Sequence, residues 1–379
     1  MAGVALARAA LAVAALSAAP GAAAESGPAP GAAPVAPSLG GDVMDAIRET
    51  IPDGMSRNGI PGLSLAVAEG GSVRFEAGFG HADVENAVRA RPTTVYRLAS
   101  VSKPITATAV MKLAEEGALD LDAPASRYCT EYPEKPWPLT SRHLLCHQGG
   151  VRHYRAGEMA NTRRATSITD GLALFRDDPL AFEPGTKVLY STYGYTLLGC
   201  VASVAAGQPF MALLQERVFE PAGMTATRLD DVRELIPGRA QGYIRDGTGR
   251  LLNSALADMT LKVPGAGLCS TAPDVARFGA ALLAGRLVSR KILREMLTPQ
   301  RTRDGRATAF GLGVSVGSRG GRAEAWHTGG HQRVSTVLYL RPDDQVVVVI
   351  LANLEDVQTE ILDLARSVAD RVTAATVLR

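Results

Sequence analysis

Leu98-Ala-Ser-Val-Ser-Lys103 is followed by Ile105, Ala109 and Leu113 at a spacing of four, and Gly117 ends the pattern. This spacing predicts a helix of about three turns over 105–116, opened by the serine-rich stretch. Ser100 and Lys103, at i and i+3, then share one helical face, where the amine can reach the hydroxyl. The positive field of a helix start favours negative charge developing on the serine oxygen. The chain holds six lysines, and Lys103 alone has a serine three residues before it. An N-cap serine with an exposed first-turn lysine uses the same letters, so the pair gains meaning only from its company.

Upstream, the apolar runs Leu63 to Ala68 and Val73 to Ala77 flank Gly70 and Gly71, a hairpin signal. Downstream, residues 120–245 read as helical and loop-rich, punctuated by Pro and Gly. Thr271, Pro273 and Asp274 form a helix start whose buried face is Val275, Phe278 and Leu282 and whose stop is Gly285. Strand-like runs return at Glu324 to His327, Ser335 to Leu340 and Val346 to Leu351, and a last helix carries Val357, Ile361, Leu364, Val368 and Val372 on one stripe. Strands at both ends with helices between them predict an α+β fold, an α/β sandwich in which helices flank an antiparallel sheet, with an inserted all-α subdomain at about 120–245.

Of 379 residues, 46% are hydrophobic and 21% charged, enough apolar material for a sizeable core. Arg8, an Ala/Leu/Val stretch and the small residues before Glu25 read as a secretory signal over 1–24, cleaved after Ala24. A Pro/Ala/Gly-rich linker follows over 25–41, and the catalytic domain spans 42–379. The expected location is periplasmic or secreted, with no stable membrane span after cleavage. A formal net charge of +2, or +1 without Arg8, argues against a nucleic-acid partner. Cys129, Cys146, Cys200 and Cys269 allow three pairings in an oxidising compartment.

Two further constellations carry chemistry. Tyr190-Ser-Thr192 follows the turn Glu183-Pro-Gly185 and precedes an apolar helix. Neighbouring cations are expected to lower the Tyr190 phenol from its reference value of about 10 towards that of a usable base. His327-Thr-Gly-Gly330 ends a strand-like run, where glycines let a substrate backbone approach and His327 supplies a cation or a donor.

Taken in order, Leu98 to Lys103, Tyr190-Ser-Thr192 and His327-Thr-Gly329 resemble the three boxes of the class C β-lactamases and related D-alanyl-D-alanine carboxypeptidases, esterases and β-lactamase-like peptidases. Supporting stretches include Leu144 to His147, Phe182 to Gly185, Pro221 to Met224 and Gly267 to Ser270. The resemblance implies a two-step acyl transfer, with Ser100 as nucleophile and Lys103 and Tyr190 handling its proton. Backbone N–H groups of Ser100 and Gly330 would form the oxyanion hole, and Thr192, His327, Thr328 and Gly329 would bind substrate. It implies neither metal nor organic cofactor. The expected partner is a small molecule or peptide, including D-amino-acid peptides derived from peptidoglycan. Carboxylesterase or β-lactamase chemistry on the same site is the alternative, as is a non-catalytic penicillin-recognising scaffold. Thr192 departs from the usual Asn of the middle box, and His327 from the Lys of the antibiotic-hydrolysing enzymes. The continuation Tyr193-Gly-Tyr-Thr-Leu-Leu198 looks like the mitochondrial β-lactamase-like peptidase branch.

Gly313-Val-Ser-Val-Gly317 matches a nucleophile-elbow string, but the Gly/Arg stretch after it does not read as the required helix. His143, Cys146, His147 and His153 match a metal-ligand list without an acidic base between them, and read as structural.

Overall fold

The computed structural model describes residues 38–377. The signal segment and all but the last four residues of the linker lie outside the described residues. Helix α1 (Gly41–Asn58) begins at the linker's final position.

The hairpin forms as the two glycines require. Strands β1 (Gly62–Glu69) and β2 (Ser72–Asp83) are joined through Gly70 and Gly71, with φ of 57° and 85°, left-handed angles that glycine adopts at no steric cost. With β3 (Val88–Arg89), β4 (Ser315–Arg319), β5 (Arg322–His331), β6 (Val334–Arg341) and β7 (Val346–Ala352), they build one antiparallel sheet in the order β3-β2-β1-β7-β6-β5-β4. The first strand therefore pairs with the last, Leu65 opposite Ile350.

Both faces of the central strands are apolar, because helices cover both. Leu63, Leu65, Val67, Val348 and Ile350 pack under α1 and the final helix, α6 (Gln358–Val377), with Ile47, Ile51, Ile361 and Val368. The alternate residues Ala66, Ala68, Val347, Val349 and Leu351 meet α5 (Ala272–Leu283) through Val275, Phe278 and Leu282. Helix α5 starts as read: the Thr271 side chain accepts from the Asp274 N–H, and Gly285 follows with φ 74°.

On the second face also lie α2 (Ser102–Glu115), α3 (Ser141–Leu145) and α4 (Thr192–Ala206). Residues 120–245 are mainly helix, turn and loop, but they include the short strands Arg228–Leu229 and Tyr243–Arg245, too brief to leave a period-two pattern. A disulfide joins Cys129 to Cys200 and so ties α4 to the segment before α3. Cys146 and Cys269 are buried thiols, each pushed up to about 12 chiefly by burial. Among the described residues no single helix is long and apolar enough to cross a membrane.

Candidate active site

The Ser100 turn is held by three hydrogen bonds, two to Leu268 and one to Thr336. Leu98 donates its N–H to the Leu268 carbonyl at 2.8 Å, Thr336 Oγ1 donates to the Leu98 carbonyl at 2.8 Å, and Ser102 Oγ accepts the Leu268 N–H at 3.2 Å. Ala99 has φ 47°, a left-handed angle that an alanine adopts only when its surroundings impose it. The turn passes directly into α2, which places Lys103 within its first turn.

Lys103 is completely buried, with no carboxylate among its hydrogen-bond partners. Its Nζ lies 3.0 Å from Ser100 Oγ, 3.1 Å from Thr192 Oγ1 and 2.8 Å from the Gly265 carbonyl. Desolvation holds the amine well below its ordinary range. A neutral amine has two N–H groups and one lone pair. It can donate to Gly265 and Thr192 and accept the Ser100 proton, which satisfies all three contacts at once.

Tyr190-Ser191-Thr192 is bracketed by two histidines. His147 accepts the Ser191 N–H at Nδ1 (3.2 Å), receives the Leu189 N–H at its carbonyl (2.8 Å) and lies against the Tyr190 ring with centroids 4.4 Å apart. His153 accepts the Thr192 N–H at Nδ1 (3.3 Å) and meets Tyr190 edge-on. Both imidazoles sit below their ordinary value, chiefly through burial. They brace the backbone rather than sharing a metal with His143, which instead caps α3 with Thr140. Among the described residues the one close cluster of potential ligands is Cys129, Glu131 and Cys200, and its two sulfurs are spent in the disulfide.

The expectation of a lowered Tyr190 phenol needs correction. Desolvation raises it above its usual value, and the Ser100 and Thr192 hydroxyls beside it offset this only in part. Lys103 Nζ sits 4.7 Å from the ring centre, against the π-face. His327 is also corrected. It is buried, its Nδ1 lies 2.7 Å from the Thr328 carbonyl, and burial above all lowers it to about 3, so the imidazole is neutral instead of cationic.

Ser100, Tyr190, Thr192, Thr328 and Gly330 line one cavity of about 310 Å³. Gly329 does not. A Cβ there would lie 2.2 Å from Thr336 Oγ1, 2.5 Å from the Leu98 carbonyl and 3.1 Å from the Ser100 nitrogen, so this glycine lets β5 run against the Ser100 turn. His327 stands behind the wall, 6.2 Å from Tyr190 between ring centroids. His153, Tyr154, Met159, Ala266, His331 and Gln358 complete the lining, and none was read as a site residue from the sequence. They come from separate loops and strand or helix ends, where no periodicity marks a shared direction. Ser315 begins edge strand β4 opposite Trp326, with no helix after it, and is not among the cavity residues.

Fold and site together define a protein of the serine β-lactamase and penicillin-binding class. The family model described as Beta-lactamase matches residues 47–372, and the chain belongs to that family. Among curated relatives, the mitochondrial serine beta-lactamase-like protein LACTB of Homo sapiens is 30% identical over 296 residues, covering 60% of this chain and 54% of the relative. Penicillin-binding protein 4* of Bacillus subtilis is 28% identical over 331 residues, 83% of this chain and 72% of that protein. This chain spans a little over half the length of the LACTB proteins it matches. Among solved structures, the octameric penicillin-binding protein homologue from Pyrococcus abyssi superposes with a TM-score of 0.71 at 25% identity, covering 82% of this chain and 73% of that one. The D-amino acid amidase from Ochrobactrum anthropi SV3 shares the fold, with a TM-score of 0.75 at 23% identity over 88% of this chain and 98% of that one.

Proposed function

We propose that the chain is an exported serine hydrolase that cleaves amide or peptide bonds, including those of D-amino-acid peptides, through an acyl-enzyme on Ser100. The observation that carries this reading is the buried, carboxylate-free Lys103 amine 3.0 Å from Ser100 Oγ. Lys103 takes the Ser100 proton as the oxygen attacks the carbonyl, and Tyr190 passes its own proton to the leaving group and recovers one from Lys103, which restores both. Water, deprotonated by the same pair, then cleaves the acyl-enzyme. Ser100 and Gly330 N–H groups receive the oxyanion, and the approach of β5 to the Ser100 nitrogen supports that arrangement. Thr192 and Thr328 face the substrate from the cavity wall.

The likeness to Penicillin-binding protein 4* supports a substrate of the cell-wall peptide class. A disulfide within the fold supports folding in an oxidising compartment and hence the signal over 1–24, the linker over 25–41 and a catalytic domain over 42–379. The test is incubation of the mature protein with a fluorophosphonate and with a panel of D-amino-acid amides, peptides and esters, locating any adduct by mass. An adduct on Ser100 with turnover of amides is the expected result. Turnover of esters alone would assign the site to a carboxylesterase, and no adduct at all would leave a non-catalytic scaffold.

A further inference from the structure

Lys262 is a second fully buried lysine, and it lies behind the same cavity wall. Its Nζ donates to the Met159 carbonyl at 2.6 Å and lies 3.1 Å from His331 Nε2 and 5.1 Å from the Tyr154 ring centre. Met159, His331 and Tyr154 all line the cavity. Among the described residues no carboxylate lies within ion-pair distance of Lys262.

The hydrogen bonds fix the charge of this pair. His331 Nδ1 accepts the Gln332 N–H at 3.0 Å, so its proton is on Nε2, the nitrogen facing Lys262. An N–H facing an amine is satisfied only if the amine offers a lone pair. In this arrangement Lys262 is the neutral amine, the form it takes above its lowered value of about 7. Burial and the Arg97 charge lower it, while Asp258 and Glu158 oppose them from farther away. His331 itself, beside Lys262, Arg97, Lys103 and His153, stays neutral.

Among the described residues no acidic side chain lines the cavity. We infer that Lys262 and His331 form a latent cation site, which takes up one proton from water when a carboxylate-bearing substrate enters the cavity. Protonated Lys262 donates to the facing imidazole nitrogen. The imidazole proton shifts to the other nitrogen, and the ring releases the Gln332 N–H and presents its own N–H towards the anion. Lys262 is thus a positioning residue acting through His331, and the inference rests on the cavity being the reaction site.

The test compares esters matched in shape: 4-nitrophenyl glutarate monoester against 4-nitrophenyl pentanoate, and 4-acetoxybenzoate against its methyl ester. In the native enzyme the ratio of kcat/KM, charged over neutral, is expected to be high at about pH 6 and to fall about tenfold as pH rises through the Lys262 value. Lys262→Met should give a low, flat ratio with neutral-ester turnover retained, and Lys262→Arg a high, flat one. A second measurement needs no turnover. Calorimetry of Ser100→Ala protein with glutarate, in buffers of different ionisation enthalpy, should show proton uptake at about pH 8 that Lys262→Met abolishes. A pH-dependent ratio that persists in Lys262→Met, or glutarate binding without proton uptake, would overturn the inference. Failure of neutral esters to turn over would count against the hydrolase reading alone, since the calorimetric result stands apart from it.

Discussion

Lys103 spends its contacts on Ser100, Thr192 and the Gly265 carbonyl, and none of them is a carboxylate. An ammonium in that setting would be a buried charge without a counter-ion, so the site is built for an amine. Lys103→Met should lower kcat/KM by at least about 100-fold while holding or raising the melting temperature, because an apolar chain of similar length replaces a desolvated polar group. The folded amine titrates below the unfolded one, so the unfolded chain binds more protons between the two values. Through that window the contribution of Lys103 to stability falls as pH falls. Loss of the protein's fold in Lys103→Met, instead of loss of activity alone, would contradict this.

Ser100→Ala should abolish fluorophosphonate labelling and turnover, whereas Ser315→Ala should leave both within about twofold, because Ser315 opens a strand of a hairpin and is not among the cavity residues. Mass location of the adduct on Ser315 or Ser102 would reassign the nucleophile.

The pH profile should not report His327. Its folded value is lowered to about 3, so the imidazole is already neutral throughout the working range. His327→Gln should keep the shape of the neutral-ester profile between about pH 5 and pH 9 while changing its height. Tyr190, raised by burial, should likewise impose no alkaline loss below about pH 10. A midpoint near neutrality that disappears in His327→Gln would show that the imidazole is charged in the working enzyme.

Gly329→Ala should cost about 1–3 kcal/mol of stability and most of the activity, since its Cβ would meet the Leu98 carbonyl and Thr336 with no free space. Thermal melts and ester turnover measured on the same preparation test both. An unaffected enzyme would mean that β5 yields easily beside Ser100.

Reduction of Cys129–Cys200 closes no chemistry but frees a loop of 71 residues in the unfolded chain. The chain-entropy estimate for that length is about 4 kcal/mol, an upper figure for the loss on Cys129→Ser. A melting temperature insensitive to reductant would remove one support for export.

Much of the layout was readable from local chemistry. Gly70 and Gly71 announced the first hairpin, Thr271 and Gly285 bounded α5, and the Ile105 stripe set α2. The strand through Trp326 extends to His331, farther than its hydrophobic pattern, because the ladder to β6 continues through Gly329 and Gly330, which carry no side chain to report it. That Ser100, Lys103 and Tyr190 meet in one place was legible because each sits beside a turn or helix start with its own signature. The charges of Tyr190 and His327 were not, since desolvation depends on what other segments pack around them. Gln358, His331 and Lys262 were missed for the same reason: their shared direction exists only after residues far apart in the chain meet.

The partnership of β1 with β7 has a consequence for the order of events in the cell. The innermost strand of the N-terminal hairpin finds its second neighbour only when residues 346–352 are available, so the sheet cannot close before that segment has been made. Contacts of such long sequence separation form slowly. A polypeptide of this topology leaves β1 one-sided, and the Ser100 turn without its Thr336 contact, until the strands over 334–352 are in place.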